Sequence, residues 1–283
     1  AKLFGMLPNF FEVPVADRSV TVAEGQTLSL GSHTLQFFMA PMVHWPEVMV
    51  TYEQSEKILF SADAFGKFGT LDTDEDWACE ARRYYFNIVG KYGMPAQALL
   101  KKAAGLDIQK ICALHGPILT ENLEYYIGKY QLWSTYTPED EGIFIAYCSL
   151  HGNTEKAAKK LAEILEAKGA PKVAISDLSR DDMAECIEDA FRYDRLVLAA
   201  PTYDGGVMPV MADFINHLKM KAYQKRKVAF IENGSWAPMA AKLMKEQMSA
   251  MKDIEIVDEH VTIRSAFKQS DVAALEALAG KLL

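Results

Sequence analysis

The second half of the sequence predicts an α/β fold, a doubly wound sheet of five parallel strands with helices on both faces, and the first half predicts an α+β domain. From residue 143 onward, short apolar runs alternate regularly with amphipathic stretches of helical period. Before that, closely spaced strand-like runs come first and helical patterns follow. A polar stretch that contains a proline, residues 134–142, separates the two patterns. The sequence therefore predicts two domains, residues 1–137 and 138–283.

The first domain begins with patterns typical of β-hairpins. Apolar and polar residues alternate over short runs, and turn-forming segments at residues 24–26 and 31–33 separate the runs. Trp77, Ala81 and Tyr84 then recur at spacings of three and four, which indicates a helix. The predicted strands are residues 20–22, 27–30, 34–39, 47–53, 57–61 and 108–114, and the predicted helices are residues 74–89, 94–104 and 122–133.

In the second domain each predicted strand is followed by a helix. This order requires parallel strands joined by right-handed crossovers, with helices on both faces of the sheet. Pro209 and Pro238 fall at predicted helix starts, where a missing N–H costs no hydrogen bond. The predicted strands are residues 143–148, 173–177, 196–200, 227–232 and 254–261, and the predicted helices are residues 154–167, 182–191, 209–219, 238–251 and 270–283.

The composition excludes several classes of function. Half of the residues are hydrophobic and 24% are charged, which is typical of a folded globular chain. The net charge of −8 argues against a nucleic-acid partner, because binding phosphate backbones needs a basic surface. The sequence has no apolar run of about 18 residues, so no membrane span is expected. Four scattered cysteines without a CxxC pair favour a reducing compartment, and we expect a cytoplasmic enzyme.

A short loop between the first strand and the first helix of the second domain predicts an anion site. Residues 149–154 read SLHGNT, so the free N–H groups of a first helical turn lie beside two hydroxyl groups. Gly152 removes a side chain where the backbone comes close to a ligand. The loop matches neither GxxxxGK[ST] nor GxGxxG. It resembles the phosphate loop of flavodoxins, whose ligand is FMN.

The loops after the third and fourth strands, residues 201–206 and 233–237, are also rich in glycine and aromatic residues. Taken singly, each loop is also typical of an ordinary surface turn. In a doubly wound sheet, however, the ligand binds outside the carboxyl ends of these strands. The predicted FMN-binding residues are Ser149, Leu150, His151, Gly152, Asn153, Thr154, Pro201, Thr202, Tyr203, Asp204, Gly205, Asn233, Gly234, Ser235, Trp236 and Ala237.

The first domain carries three candidate metal ligands, His44, Asp63 and His115, each near the end of a predicted strand. Strand ends hold ligands rigidly and leave their polar atoms in a cleft. Two imidazoles and one carboxylate suit iron, zinc or manganese. The alternative is that these are three scattered loop residues with no common role.

The segments around these residues resemble a known family. HWPE at residues 44–47, FSADAFG at 60–66 and HGPI at 115–118 resemble the latter half of a metallo-β-lactamase-like domain. A partial α+β domain of that kind, followed by a flavodoxin-like five-stranded parallel sheet, resembles the flavodiiron proteins. The resemblance implies reduction of O2 to water or of NO to N2O at a non-haem diiron site that FMN supplies with electrons.

The resemblance also implies roles and partners. The residue that matches Asp63 bridges the two irons, and those that match His44 and His115 bind one iron each. Members of this family are head-to-tail homodimers in which the flavin of one subunit faces the metals of the other. A rubredoxin-like protein is the expected electron donor, because this sequence carries no CxxC pair of its own.

The sequence departs from the family in one respect. The H-x-E-x-D-H motif that supplies the other metal ligands is absent, and the only histidine before His44 is His33, in a predicted turn. The sequence also begins at Ala1 without an initiator methionine. We therefore expect the larger fragment of a flavodiiron protein, with an incomplete metal site and a missing amino-terminal segment as a possible partner.

Two other functions remain open on the sequence. One is a flavodoxin-type FMN electron carrier with a degenerate metal domain, which the missing ligands favour. The other is a metal hydrolase of the β-lactamase-like group, which the flavin loops disfavour. A visible spectrum with an iron assay separates the three, and the sequence does not decide between O2 and NO as the substrate.

Overall fold

The computed structural model describes residues 2–12, 14, 16–73 and 75–283. Contacts between residues divide the chain into two compact units, residues 1–135 and residues 136–283, which we call the first and second unit. The division falls two residues before the boundary that the sequence suggests, in the same polar stretch.

The first unit contains a mixed sheet in the order β1-β2-β3-β4-β5. The first four strands form an antiparallel meander, and β5 pairs with β4 in parallel. Because β4 and β5 run in the same direction, the segments that follow them emerge at one edge of the sheet. The strands are β1 (Thr27–Ser29), β2 (Thr34–Met39), β3 (Met49–Glu53), β4 (Ile58–Phe60) and β5 (Lys110–Cys112).

Aromatic side chains form much of the core between the helices of the first unit. Trp133 stacks on Trp77 with ring centroids 5.9 Å apart, and both rings are buried. Tyr85 packs against Tyr130 and Trp133. Large rings bury much apolar area per residue, so they stabilise a small helical layer strongly. The helices are α1 (Lys2–Met6), α2 (Trp77–Tyr84), α3 (Gly93–Ala103) and α4 (Leu123–Ser134).

Two predictions for the first unit were wrong. Residues 20–22 form no strand, since they make no ladder with the sheet. The predicted helix over residues 74–89 begins at Trp77, because the Asp76 side chain accepts a hydrogen bond from the Ala78 N–H and caps the helix. It then widens into a π-helical turn over Tyr85–Val89. Asp74 lies outside the described residues.

The second unit contains a parallel sheet in the order β11-β10-β8-β6-β7. Counted within the unit, this is the order 2-1-3-4-5 of a flavodoxin-like sheet, as predicted. A short β9 pairs antiparallel with β8, and β12 pairs with β10 beyond β11. The strands are β6 (Asp140–Tyr147), β7 (Val173–Asp177), β8 (Tyr193–Tyr203), β9 (Gly206–Val207), β10 (Arg226–Asn233), β11 (Ile254–Ile256) and β12 (Val261–Ile263).

The central strands of this sheet are covered on both faces. In β6 and β8, Ile143, Ile145, Leu196 and Leu198 are fully buried, which explains their continuous apolar sequence. The Asp182 carboxylate caps α6 through the N–H groups of Ala184 and Glu185. The helices are α5 (Asn153–Ala167), α6 (Met183–Arg192), α7 (Pro209–Met220), α8 (Ala240–Ser249) and α9 (Val272–Leu282).

Two details of the second unit also differ from prediction. The strand predicted over residues 254–261 is two short strands, β11 and β12, because residues 257–260 include the charged Asp258 and Glu259 and leave the ladder. Helix α8 begins at Ala240 rather than at Pro238. The prediction of Pro209 as the first residue of α7 is confirmed.

In the part of the chain that the structure describes, every helix is too short or too polar to cross a membrane.

Candidate functional site

A cleft of about 690 Å³ lies at the carboxyl ends of β6, β8 and β10 in the second unit. The three segments that the sequence singles out as loops form its walls together, although residues 201–203 belong to the end of β8 and residue 233 to the end of β10. Of the sixteen predicted FMN-binding residues, only Gly152 and Tyr203 do not line the cleft directly. The cleft has the size of a cofactor pocket and the position expected for a doubly wound sheet.

The loop after β6 is built to hold an anion. Gly152 has φ +75°, in the left-handed region that favours glycine, and α5 begins at the next residue. The N–H groups of the first turn of this 15-residue helix have no partner within the helix. The buried hydroxyl oxygen of Ser149 lacks a hydrogen-bond partner among the described residues. A buried unpaired hydroxyl beside a helix N-terminus fits a phosphate group, so the loop fits FMN.

The other two loops hold each other in place. The Thr202 hydroxyl oxygen accepts hydrogen bonds from the N–H groups of Met239 and Ala240, at 2.9 and 3.2 Å. This contact joins the end of β8 to the start of α8. A Cβ on Gly234 would lie 2.8 Å from the Cα of Pro238, so only glycine fits at that position. The chain path of both loops is therefore fixed before any ligand binds.

The mouth of the cleft is bordered by exposed apolar side chains. Trp236 is 90% exposed, Leu150 48% and Tyr203 42%. Large hydrophobic residues exposed to this degree are rare in the second unit, and three of the five described there border this cleft. We call Leu150, Tyr203 and Trp236 the flavin rim. A flat aromatic ligand in the cleft, or a protein partner over it, would cover these side chains.

The sequence missed two residues that line the cleft, Ser265 and Ala266. They follow β12, and Ser265 is held by Asn233, whose side-chain amide donates to the Ser265 carbonyl oxygen at 3.0 Å. The hydroxyl oxygens of Ser235 and Ser265 lie 2.6 Å apart. The rule that ligands bind at strand ends would have identified this loop if the last strand had been placed correctly.

Replacement of Ser149 by alanine should weaken FMN binding about tenfold, because the phosphate loses a hydrogen-bond donor. Riboflavin lacks the phosphate, so its affinity should not change. Titration of the chain with each flavin, followed by flavin fluorescence, measures the two affinities. The exposed Ser179→Ala is the matched control. Equal losses for FMN and riboflavin would show that Ser149 does not contact the phosphate.

In the first unit, an unusual loop presents Asp63. Ala62 and Phe65, on either side of it, have φ of +53° and +67°. Residues other than glycine seldom adopt these values, and such strain often marks a functional site. The buried Ser61 hydroxyl stabilises the loop by donating to the Ala64 carbonyl oxygen at 2.6 Å. The loop therefore positions the Asp63 carboxylate by means of an energetically unfavourable backbone conformation.

The structure brings the three predicted metal ligands together. His44 lies in the connection between β2 and β3, and His115 follows β5. The Nε2 atom of His44 lies 3.2 Å from Oδ2 of Asp63, and Nε2 of His115 lies 3.9 Å from Oδ1. The Leu114 N–H donates to the Ala62 carbonyl oxygen at 2.8 Å, which joins the two loops. Each imidazole thus faces a different oxygen of one carboxylate.

The orientation of His115 is fixed by its surroundings. Its Nδ1 lies 2.9 Å from the Lys67 carbonyl oxygen, which can only accept, so Nδ1 carries the proton and Nε2 is free to bind a metal. A Cβ on Gly66 would lie 2.5 Å from Cε1 of this ring. The ring also packs edge-on against Tyr84, with centroids 4.7 Å apart. A backbone contact of this kind is typical of metal-binding histidines.

Tyr84, which the sequence pattern places on a helix, is a polar neighbour of these ligands. The residue is 4% exposed, and its hydroxyl has no hydrogen-bond partner among the described residues. Burial and the nearby Asp63 carboxylate raise the pKa of Tyr84 above its ordinary value, so the hydroxyl stays protonated. The group is therefore a neutral hydrogen-bond donor beside Asp63 and His115. No sequence pattern distinguishes it from the other aromatic residues of α2.

The donor set fits a metal only in part. One imidazole nitrogen and one carboxylate oxygen at each end of Asp63 suit a divalent transition metal. No choice of one ligand atom from each of these three described residues places all three within 4.8 Å of one another. The set is therefore better suited to two ions that share Asp63 than to one ion. Each ion would need further ligands for tight binding.

Comparison with known proteins identifies both units. The profile described as ODP family beta lactamase matches residues 2–116, and the Flavodoxin domain profile matches residues 144–276. An uncharacterized protein of Methanocaldococcus jannaschii is 30% identical over 88% of this chain and 65% of its own length. A nitric oxide reductase of Moorella thermoacetica is 31% identical over 84% of the chain and 61% of its own length.

The fold agrees with a solved structure. Rubredoxin oxygen:oxidoreductase from Desulfovibrio gigas superposes with a TM-score of 0.87 at 24% identity, over 99% of this chain and 71% of that one. The chain spans between 45% and 66% of the lengths of the curated relatives that it matches first.

The fold is thus part of a β-lactamase-like domain, followed by a flavodoxin-like domain with a cleft at the ends of its strands. Proteins with this pair of domains form one class of flavoproteins. The chain belongs to the flavodiiron protein family.

Proposed function

We propose that this chain binds FMN and contributes part of the diiron site of an oxidoreductase that reduces O2 to water, NO to N2O, or both. The observation that carries this proposal is the position of Asp63, whose two oxygens face His44 and His115 separately. A carboxylate that bridges two ions needs this arrangement. The flavin cleft and the names of the relatives support the same function.

The residues of the chain would have the following roles. When bound, the flavin would supply single electrons, and the irons would supply the site for reduction of O2 or NO. Ser149, Thr154 and the first turn of α5 would hold the phosphate, and the loops after β8 and β10 would hold the ring. His44, Asp63 and His115 would hold the irons. Tyr84 keeps a proton on its hydroxyl oxygen next to this site.

The remaining metal ligands would come from outside the residues of this sequence, which lacks H-x-E-x-D-H. A polypeptide that carries this motif is therefore one proposed partner. A rubredoxin-like protein is the proposed electron donor, in line with the name of the D. gigas relative. We place the reaction in the cytoplasm.

We also propose a head-to-tail homodimer. The three metal-site loops expose apolar residues, including Trp45 (39%), Leu71 (69%), Leu114 (79%) and Ile118 (65%). The flavin rim is apolar as well. Contact between the metal site of one copy and the flavin rim of another would cover both surfaces.

Sedimentation of the wild-type chain should show a dimer. Replacement of Trp236 by serine should shift the equilibrium towards monomer. A wild-type monomer at micromolar concentration would contradict the proposal.

The deciding experiment measures the product of the O2 reaction. The chain is loaded with FMN and ferrous iron, with or without a peptide that supplies H-x-E-x-D-H, and is reduced anaerobically before O2 or NO is added. With the peptide, we expect about two irons per chain, rapid flavin oxidation and water as the product. Without it, we expect much less iron and the slow release of hydrogen peroxide that is typical of a free reduced flavin. Peroxide as the main product of the iron-loaded chain would contradict the proposed reduction of O2 to water.

A flavodoxin-type electron carrier is the second candidate function. It is favoured by the small number of metal donors, three for two ions. In that case the chain would bind FMN tightly, retain no iron with or without the peptide, and exchange electrons with a redox partner at an unchanged rate in the Asp63→Asn variant.

A further inference from the structure

Two apolar cavities lie behind the Asp63 loop, on the side of the sheet that α3 covers. The first is small, with a volume of about 20 Å³, and is walled by Ser61, Ala64 and Phe65 of the loop together with Leu99 and Ala103 of α3. The second is an open cleft of about 520 Å³, and it shares Leu59, Phe65, Leu100 and Ala103 with the first. The two cavities thus meet at Phe65, two residues from Asp63.

The small cavity has room for one small molecule, since about 10–15 Å³ of this kind of volume holds a single water. Its polar wall groups, however, already have partners. The Ser61 hydroxyl donates to the Ala64 carbonyl oxygen at 2.6 Å. The Lys102 ammonium donates to Glu24 and to the Met39 carbonyl oxygen, at 2.8 and 2.7 Å. A water inside would find no group left to bind, and water needs two to four polar partners.

We propose that this small apolar cavity is a binding site for a nonpolar diatomic gas, which enters through the open cleft and passes Phe65 towards Asp63. The proposal deepens the function proposed above, because O2 and NO are the substrates of that reaction. Both molecules are small and nearly nonpolar, so they partition from water into an apolar space that excludes water. The strands β4 and β5, which lead to Asp63 and His115, also line the open cleft through Leu59 and Ile111.

Dissolved O2 is paramagnetic, and it speeds the relaxation of nearby methyl protons. The test therefore measures methyl relaxation in the chain free of metal and flavin, under nitrogen and under raised O2 pressure. The methyl groups of Val50 and Leu99, which are 2% and 8% exposed, line the cavity, and those of Leu278 and Ile164 in the second unit are exposed to the same degrees. We expect the first pair to relax faster under O2 and the second pair to change little.

A variant that fills the cavity provides the second measurement. Ala103→Val places two more carbon atoms in the shared wall and should abolish the O2 effect at Val50 and Leu99. The exposed Ala274→Val on α9 should leave it unchanged. An equal O2 effect at all four methyl groups, or cross-relaxation between water and the cavity methyl groups, would overturn the proposal.

The same variant distinguishes this proposal from the proposed function. In the loaded oxidoreductase, Ala103→Val should slow the reaction at low gas concentration and leave the rate at saturating gas unchanged. An unchanged rate at low gas concentration would show that the cavity does not supply the metal site. A loaded chain that reduces neither gas would overturn the function, and the relaxation experiment would still report on the cavity.

Discussion

Replacement of Gly66 by alanine should lower the affinity of the His44–Asp63–His115 site for a divalent metal by about 10- to 100-fold, the usual effect of losing a contact that orients a metal ligand. A Cβ at this position would lie 2.5 Å from Cε1 and 2.6 Å from Nδ1 of His115, and 2.8 Å from the His115 carbonyl oxygen. The ring is held from its other side by Tyr84, so it has little room to retreat.

Titration with Co(II), followed by its visible spectrum, measures this affinity. The nitrogen chemical shifts of His115 in the metal-free chain give a second measurement, because the wild-type ring carries its proton on Nδ1 and donates to the Lys67 carbonyl oxygen. In Gly66→Ala, the nitrogen chemical shifts of His115 should no longer show the proton on Nδ1 alone. Gly128→Ala is the control, since a Cβ there meets no atom within 4 Å. Unchanged Co(II) affinity in Gly66→Ala would show that the ring position does not matter for binding.

Replacement of Arg226 by methionine should lower the free energy of unfolding of the second unit by about 3–5 kcal/mol, the scale for breaking a buried polar network. Arg226 is 2% exposed. Its guanidinium donates to the carbonyl oxygens of Tyr193 at 2.7 Å, Tyr136 at 2.8 Å and Gln224 at 2.9 Å, and also to that of Phe191. Methionine fills a similar volume but leaves these oxygens buried without donors.

Urea unfolding followed by circular dichroism measures the loss. Arg226→Lys should fall between the wild type and Arg226→Met, because lysine keeps the charge but cannot direct five N–H groups in a fixed fork. Arg180→Met is the control, since the Arg180 side chain is 84% exposed. A loss below about 1 kcal/mol in Arg226→Met, the scale of a surface substitution, would show that the carbonyl groups find water instead.

The order of elements in the second unit could be predicted from sequence because its strands are buried on both faces. Runs such as residues 196–200 are apolar without interruption, and this pattern occurs only in a sheet that helices cover on both sides. The break between β11 and β12 could not be predicted. The alternating segments at residues 254–257 and 261–263 look like one strand unless their pairing with β10 is known.

The site residues could be predicted in part for a similar reason. Strand ends and short motifs pointed to His44, Asp63 and His115, and the structure places their side chains together. Their neighbours Gly66 and Lys67 could not be predicted, because what each contributes depends on the path of the backbone around the site. Lys67 contributes its carbonyl oxygen and Gly66 its missing Cβ. That path depends on the left-handed backbone at Ala62 and Phe65, for which neither residue type gives a signal.

The Thr202 hydroxyl limits which substitutions this protein can accept during evolution. It lines the cleft from the end of β8 and also caps the start of α8 through two N–H groups, so one side chain supports two parts of the cleft wall at once. A substitution that retunes the flavin from the loop after β8 would also release the helix that follows the loop after β10. The segments at residues 201–206 and 233–237 are therefore expected to vary together among relatives, even though 26 residues of chain separate them.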